Sequence, residues 1–418
     1  MTKETVKSRA DGQLEQRLLV LVTLGLVAFG LVMVFSATSA SAALGAGDPM
    51  TFLVKQGAYA LVGLLVLALA SKFDYHRLRA VAPVLLVGAL VLCIAVIAIA
   101  PPINGARRWF LLGPISVQPS EFAKIAVCVW ACALLARRPT PRTVGELMKP
   151  LGFVVLLFSG LILLQPDLGT TISLSVMVAG ILLVSEVPLR LLALVGSVAL
   201  AFGAVAIYAA PYRRERFLSF LDPWQDPQGA GFQTVQAIIG MGSGGITGEG
   251  LGHGVSKVFY LPEAHTDMIF AIVGEELGLI GSTAVIVAFG VFAWAGFRVA
   301  LHCRDPFGKR LAAGLTTLIF GQAAINLCAV LGIAPLTGIP LPFVSYGGSS
   351  LIVLLTAVGV LLNIAVNDRV VDARSRDRSG RNRGSHQARP RSRGSATRTR
   401  SDRDVRRESR PRRVAAGS

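Results

Sequence analysis

The stretch VAPVLLVGALVLCIAVIAIA, from Val81 to Ala100, decides the fold class, because twenty consecutive residues carry no charged side chain. As a helix it would measure about 30 Å, the thickness of a bilayer's hydrocarbon core, and helix pairs every backbone polar group within the segment itself. Apolar runs of this kind recur on both sides of it. Together they predict ten spans, at roughly 18–37, 51–70, 81–100, 119–136, 151–165, 169–185, 189–210, 267–299, 311–332 and 347–366. The fifth and sixth are short and parted only by Pro166-Asp167-Leu168, which suits tilted or partly re-entrant helices. The expected architecture is an all-α polytopic membrane protein with ten transmembrane helices.

Composition agrees. Of 418 residues 53% are hydrophobic and 16% charged, and the mean hydropathy is +0.61. This excludes an ordinary soluble enzyme, a disordered protein and a secreted disulfide scaffold. The five cysteines (Cys93, Cys128, Cys132, Cys303, Cys328) lack metal-ligand spacing and read as small core residues. The net charge of +17 is uneven: residues 368–418 hold 17 Arg against 6 acidic residues, a net +11. The chain is therefore an apolar body with a basic tail.

Loop charges give the sidedness. Lys3, Lys7, Arg9 and Arg17 precede the first span; Lys72, Arg77 and Arg79 follow the second; Arg137, Arg138, Arg142 and Lys149 follow the fourth; Arg298, Arg304, Lys309 and Arg310 surround the turn after the eighth. The positive-inside rule then puts both termini in the cytoplasm. The expected organisation is a cytoplasmic segment 1–16, a ten-helix membrane domain 17–367 and a disordered cytoplasmic tail 368–418, with a long extracytoplasmic loop 211–266 between helices seven and eight. Ser36 to Ala43 resembles a signal-peptidase site, but the apolar run before it exceeds a signal peptide's core, so an uncleaved first span is expected.

Polar residues at membrane depth are costly and mark function. Five clusters fall on the outer side. The first runs Asn104-Gly105-Ala106-Arg107-Arg108-Trp109-Phe110 and then Gln118-Pro119-Ser120-Glu121-Phe122-Ala123-Lys124; Glu121 and Lys124 stand three apart on one helix face, and outer-side arginines suggest an anion. The second, Gln165-Pro166-Asp167-Leu168-Gly169-Thr170, breaks two spans. The third, Gly240 to Gly252, is glycine-dense but lacks the strand and Lys-Ser/Thr ending of a nucleotide loop, so it reads as a lid or turn. In the fourth, Leu261-Pro262-Glu263-Ala264-His265-Thr266-Asp267, Thr266 is a candidate cap and Asp267 opens an apolar helix beside His265 and Glu263, a setting that can tune a carboxylate as a base. The fifth, Pro335 to Ser350 (PLTGIPLPFVSYGGSS, with Ser345), has too many prolines and glycines for helix and reads as one wall of a site. The residues alone point to a membrane-embedded site facing away from the cytoplasm, for an anionic, lipid-linked substrate.

In this order between the spans, Arg-Arg-Trp, Gln-Pro-Ser-Glu-Phe-Ala-Lys, Gln-Pro-Asp-Leu-Gly-Thr, Leu-Pro-Glu-Ala-His-Thr-Asp and Pro-Phe-Val-Ser-Tyr-Gly-Gly-Ser-Ser resemble the SEDS family (shape, elongation, division and sporulation) over about residues 17–367. The stretches Arg214 to Trp224 and Ile272 to Gly278 are most similar to its cell-division branch, with the elongation branch the near alternative. The resemblance implies a peptidoglycan glycosyltransferase that polymerises lipid II at the outer face of the bacterial inner membrane. It also implies that Asp267 is the catalytic base, that Trp109, Glu121 and Lys124 belong to the substrate site, and that the chain works at the septum with a class B penicillin-binding protein transpeptidase and other divisome proteins. We add Arg107, Arg108, His265, Glu263 and Ser345 as substrate-binding candidates, from charge and position. A divalent cation (Mg or Mn) is compatible with a pyrophosphate leaving group, and its need is open. A lipid II flippase is the reading from another class, and a division scaffold a third; polar residues gathered at one face favour the polymerase. Nucleic acid is not an expected partner.

The tail has too few large apolar residues to bury a core, and its charge suits anionic lipid head groups or an acidic division protein such as the FtsZ tail. Truncation after Asn367 is expected to leave polymerisation by the purified protein unchanged and to alter septal clustering of a fluorescent fusion in cells.

Overall fold

The computed structural model describes residues 3–387 except 44–47, 104, 114, 209–210, 230 and 256–263. Its helices are α1 Lys3–Ala43, α2 Pro49–Lys72, α3 His76–Ile99, α4 Pro119–Arg137, α5 Val144–Leu147, α6 Phe153–Leu164, α7 Leu168–Val184, α8 Leu189–Tyr208, α9 Pro211–Leu221, α10 Phe232–Ser243, α11 Ile269–His302, α12 Pro306–Val330 and α13 Gly348–Gln387. A π-helical turn, Met148–Gly152, joins α5 to α6. The chain forms two units, Met1–Val370 and Val371–Ser418. In the second, helix is described as far as Gln387, and 388–418 of the tail expected to be disordered lie outside the described residues.

Eight helices are long and apolar enough to cross a membrane: Gln13–Ser39, Pro49–Lys72, His76–Ile99, Pro119–Arg137, Val144–Leu164, Ile269–His302, Pro306–Val330 and Gly348–Asn367. The other two expected spans correspond to shorter apolar helices, Leu168–Val184 and Leu189–Val205. The cause at α7 is local. Asp167 caps its start by accepting from Thr170 N–H at 3.0 Å, and Glu186, at φ +59°, ends the chain's helical path just after Val184. The fifth span begins earlier than expected, at Val144 and not at 151.

Two further expectations change. The fold is not purely helical: Phe110–Leu112 and Ile115–Val117 pair as an antiparallel hairpin with Phe110 opposite Val117, turning at Gly113 with φ +65°. Apolar and β-branched residues flanking Gly-Pro are hairpin chemistry that a span count overlooks. The long outer segment is also partly built, as α9 and α10. Its glycine-rich stretch is docked and not free. Gly278 breaks α11 at φ +63°, ψ −157°, and there Leu279 N–H donates to Gly245 O (3.0 Å), Glu249 N–H to Glu275 O (3.0 Å) and Gly250 N–H to Glu276 O (3.0 Å).

Burial sorts the helices. α4, α12 and the apolar part of α13 are mostly buried, whereas α2 and α3 turn most of their apolar side chains outward, as helices facing lipid must. α11 packs on α1, α10 and α12, and α12 also on α4 and α7. Close crossings rest on small residues. At Gly359 of α13 a β-carbon would stand 2.5 Å from Leu67 O of α2. One turn further on Asn363 ties the same two helices, donating to Ser71 O (2.8 Å), and accepts from Tyr75 N–H just beyond α2 (3.0 Å).

Gly359→Val is expected to force α2 and α13 apart and destabilise the protein by about 1–3 kcal/mol, the usual range for overpacking. Thermal unfolding in detergent, compared with the parent, measures this.

Candidate functional site

The site is organised around the non-helical segment between α12 and α13. α12 holds it with two amides one turn apart. Gln322 Nε2 donates to Pro340 O (3.2 Å), and Asn326 Nδ2 donates to Ile339 O (2.8 Å) and to Asp267 O (2.7 Å). From α2, Gln56 Nε2 donates to Ser345 O (3.2 Å) and its Oε1 accepts from Gly347 N–H (3.4 Å). α7 comes up beneath: a β-carbon on Gly169 would meet Thr337 O at 2.7 Å. Phe343 is buried with φ +66°, a backbone state unfavourable for a bulky residue that its surroundings must hold.

Glu121 and Lys124 form a buried ion pair, Nζ to Oε1 2.7 Å, with side chains 1% and 4% exposed for Lys124 and Glu121 respectively. Lys124 Nζ also donates to Gln322 Oε1 (3.0 Å). A relay therefore runs from Glu121 through Lys124 and Gln322 to Pro340 O of the broken segment. The pair lies behind the wall and reaches it through Gln322.

Asp267 is half-buried beside this segment. Its Oδ1 accepts from Thr266 Oγ1 (3.2 Å), and its Oδ2 lies close to Gly338, whose φ is +70°. Thr266 does not cap α11, which begins at Ile269 with no side-chain cap; Asp267 precedes the helix and does not sit in its first turn. His265 accepts from Tyr346 N–H through its carbonyl (2.9 Å), and its ring lies 5.1 Å from Phe52 and 5.5 Å from Tyr346. Burial, with Tyr59 nearby, pushes the Tyr346 hydroxyl above its ordinary range. Ser345 is buried, and its hydroxyl accepts from Leu341 N–H (2.8 Å), closing a turn of the wall. Glu263 lies outside the described residues.

Arg108 turns inward on the second cluster. Its Nε donates to Gln165 O (2.8 Å) and its Nη2 to Pro166 O, while its guanidinium carbon is 5.8 Å from the centre of the Trp109 ring. Arg107 is exposed and donates to Ile97 O (3.2 Å). Gln118 links the clusters, its Nε2 donating to Asp167 Oδ2 (3.1 Å) and to Ser120 Oγ (3.0 Å). Among the described residues no three His, Cys, Asp or Glu side chains are placed to hold a metal ion, so the site offers no dedicated cation cage there.

The structure thus brings the second, fourth and fifth clusters and the Glu121–Lys124 pair onto one segment. Sequence reasoning missed Gln56, Gln322 and Asn326. The signal was present: an amide inside an apolar helix needs a partner, and Gln322 and Asn326 stand at i, i+4 on one face.

Residues 16–370 match the family model FtsW/RodA/SpoVE, described as cell cycle protein. The chain belongs to the FtsW/RodA/SpoVE family. It is 41% identical over 352 residues to the probable peptidoglycan glycosyltransferase FtsW of Geobacter sulfurreducens, covering 83% of this chain and 94% of the relative. To stage V sporulation protein E of Bacillus subtilis it is 40% identical over 358 residues, with 83% and 96% covered. Of solved structures in the FtsW/RodA/SpoVE family, the Thermus thermophilus rod shape determining protein RodA superposes with a TM-score of 0.62 at 30% identity, covering 83% of this chain and 95% of that one. A chain from a peptidoglycan synthase complex, reported for its coordination of polymerization and crosslinking, gives 0.70 at 32% identity, covering 84% and 97%.

Lys124→Met alone leaves the Glu121 carboxylate buried without its cation and is expected to cost about 3–5 kcal/mol, whereas Glu121→Gln combined with Lys124→Met should cost much less. Thermal unfolding of the four proteins of this cycle checks it; simple additivity of the two losses would show that the groups are not coupled.

Proposed function

We propose that the protein is a peptidoglycan glycosyltransferase of the cell-division type, which joins lipid II units at the outer face of the bacterial inner membrane. The observation that carries this reading is the placing of Asp267: a half-exposed carboxylate fixed through its own backbone by Asn326, next to a non-helical wall, at the ends of apolar helices. The names of the relatives, FtsW above all, support the same activity. All ten apolar helices cross the bilayer in this reading, the two shorter ones included, with both termini cytoplasmic and the loop 211–266 outside.

In the reaction Asp267 takes the proton from the 4-hydroxyl of the acceptor GlcNAc as that oxygen attacks the donor sugar's anomeric carbon. The bond to the undecaprenyl pyrophosphate breaks, and the pyrophosphate leaves with its electron pair. A single base suffices for such a displacement. Arg107, exposed at the rim with one donor on Ile97 O, turns its remaining donors to the departing charge, and Trp109, beside Arg108, borders the same approach. Lys124 contributes from behind: buried against Glu121 and Gln322, it orients the Gln322 amide that holds the wall at Pro340. Ser345 and His265 shape the wall.

A class B penicillin-binding protein is the partner that crosslinks the product, a proposal supported by the likeness to a synthase complex that coordinates the two activities. Work at the septum follows from the division-type reading, and the basic tail engages anionic lipid or the FtsZ tail on the inner side.

Purified parent protein given labelled lipid II should make glycan chains, and Asp267→Asn, which keeps size and removes charge, should be about a hundred- to ten-thousand-fold slower. A variant retaining more than a tenth of the parent rate removes Asp267 as the base. Movement of lipid II across a vesicle by the parent, without chains, would make the protein a carrier.

A further inference from the structure

The second feature that the fold builds lies at the other end of α2. Phe52 and Gln56, near the start of this helix, hold the site, and Lys72 ends it about 30 Å further along the axis, one hydrocarbon thickness away. There a groove of ≈ 520 Å³ opens between α2, α3 and α13, lined by Val66, Leu69, Leu78 and Val360 and ended by Phe73 and Lys72. Thr356, also in its wall, spends its hydroxyl on Ile352 O (2.7 Å), so the lining offers nothing to hold water.

The charge in the turn that ends it is mainly positive. Lys72, Arg77 and Arg79 lie within eight residues, against the single carboxylate of Asp74. Asp74 is held within this turn, 2.7 Å from His76 Nδ1 and accepting from His76 N–H at 3.0 Å, and Asp305 Oδ2 stands 3.8 Å from His76 Nε2. Lys72 has no ion pair among the described residues, and Arg77 rests on the Phe73 ring with its guanidinium carbon 5.6 Å from the centroid. An apolar slot ended by Lys72, with Arg77 close by on the Phe73 ring, is complementary to an acyl chain beneath a phosphate.

We propose that this groove binds a phospholipid with an anionic head group, in the leaflet opposite the site, with one acyl chain against Val66, Leu69, Leu78 and Val360 and the phosphate at Lys72 Nζ. The lipid bridges α2 and α13, the two helices between which Asn363 and Gly359 already make the protein's own contacts. The proposal does not depend on the polymerase reading, since it concerns binding at the other membrane face.

The test uses the full-length protein in detergent, titrated with dioleoyl phosphatidylglycerol or with dioleoyl phosphatidylcholine, with bound lipid counted by native mass spectrometry. One phosphatidylglycerol should bind at least fivefold more tightly than phosphatidylcholine. Lys72→Gln should weaken that event about fivefold, the share of one basic residue at a bilayer surface. Leu69→Trp should abolish it by filling the groove; Leu69 is 60% exposed, so the larger ring meets no core. Equal binding of the two lipids by the parent overturns the proposal, as does a phosphatidylglycerol preference that both variants leave intact. If Leu69→Trp fails to fold, Lys72→Gln decides alone. Disulfide crosslinking of two copies through Leu69→Cys in membranes would give the groove to a second copy of the chain and also overturn it.

Discussion

A backbone carbonyl or N–H group buried inside the protein has no water to turn to, and leaving it unpaired costs several kcal/mol. The segment between α12 and α13 is non-helical, so it can exist only if other parts of the chain supply its hydrogen bonds. Three amide side chains do so: Gln322 and Asn326 from α12 and Gln56 from α2. The backbone adds Tyr346 N–H to His265 O, and Ser345 turns its own hydroxyl back on Leu341 N–H. Since the same Asn326 also holds Asp267 O, the wall and the carboxylate are positioned as one unit.

This requirement explains why polar residues concentrate in the most buried helices. α4 contributes Lys124 and Glu121, and α12 contributes Gln322 and Asn326, each inside a helix that water cannot reach. A buried ion pair is a poor way to gain stability, because desolvation offsets much of the attraction. Here its cation has a second partner in Gln322 Oε1, and Gln322 in turn can present its Nε2 to Pro340 O with no ambiguity of flip. The charge on Lys124 fixes which end of the Gln322 amide faces which neighbour. In that sense the pair specifies an orientation more than it supplies energy.

Where the sequence is legible and where it is not follows from the range of the forces involved. Apolar runs are local signals, so the long helices and the family motifs are readable without the fold. α7 was readable in extent as well as character, expected at 169–185 and found at Leu168–Val184; what a hydropathy run averages out is how its ends are made, with Asp167 as cap and Glu186 in a left-handed conformation. The hairpin at 110–117 was hidden by its brevity. Asp267 stood out from its place in the motif, whereas Gln322 and Asn326, lone amides within apolar runs, are informative only once the carbonyls they meet are known. Arg108 is the instructive reversal: its sign and side suggested an anion, and its Nε and Nη2 are given to Gln165 O and Pro166 O, the carbonyls that the broken helix junction leaves without helical partners.

The same logic governs the break in α11. Gly278 leaves the helical path, and the turn around it has backbone groups that the helix no longer pairs. The glycine-rich stretch answers them edge to edge, at Gly245, Ile246, Glu249 and Gly250. Such contact needs backbones closer than side chains allow. A β-carbon on Gly248 would stand 2.2 Å from Glu276 O, and one on Gly278 2.4 Å from Gly248 N. The glycine density that looks like flexibility in the sequence is thus what permits a tight seam, and the seam ties down the N-terminal side of the stretch that leads to Asp267. The chain meets the bilayer's demand twice by the same means: it breaks a helix where a site needs irregular backbone, then brings a second segment close enough to satisfy what the break exposes.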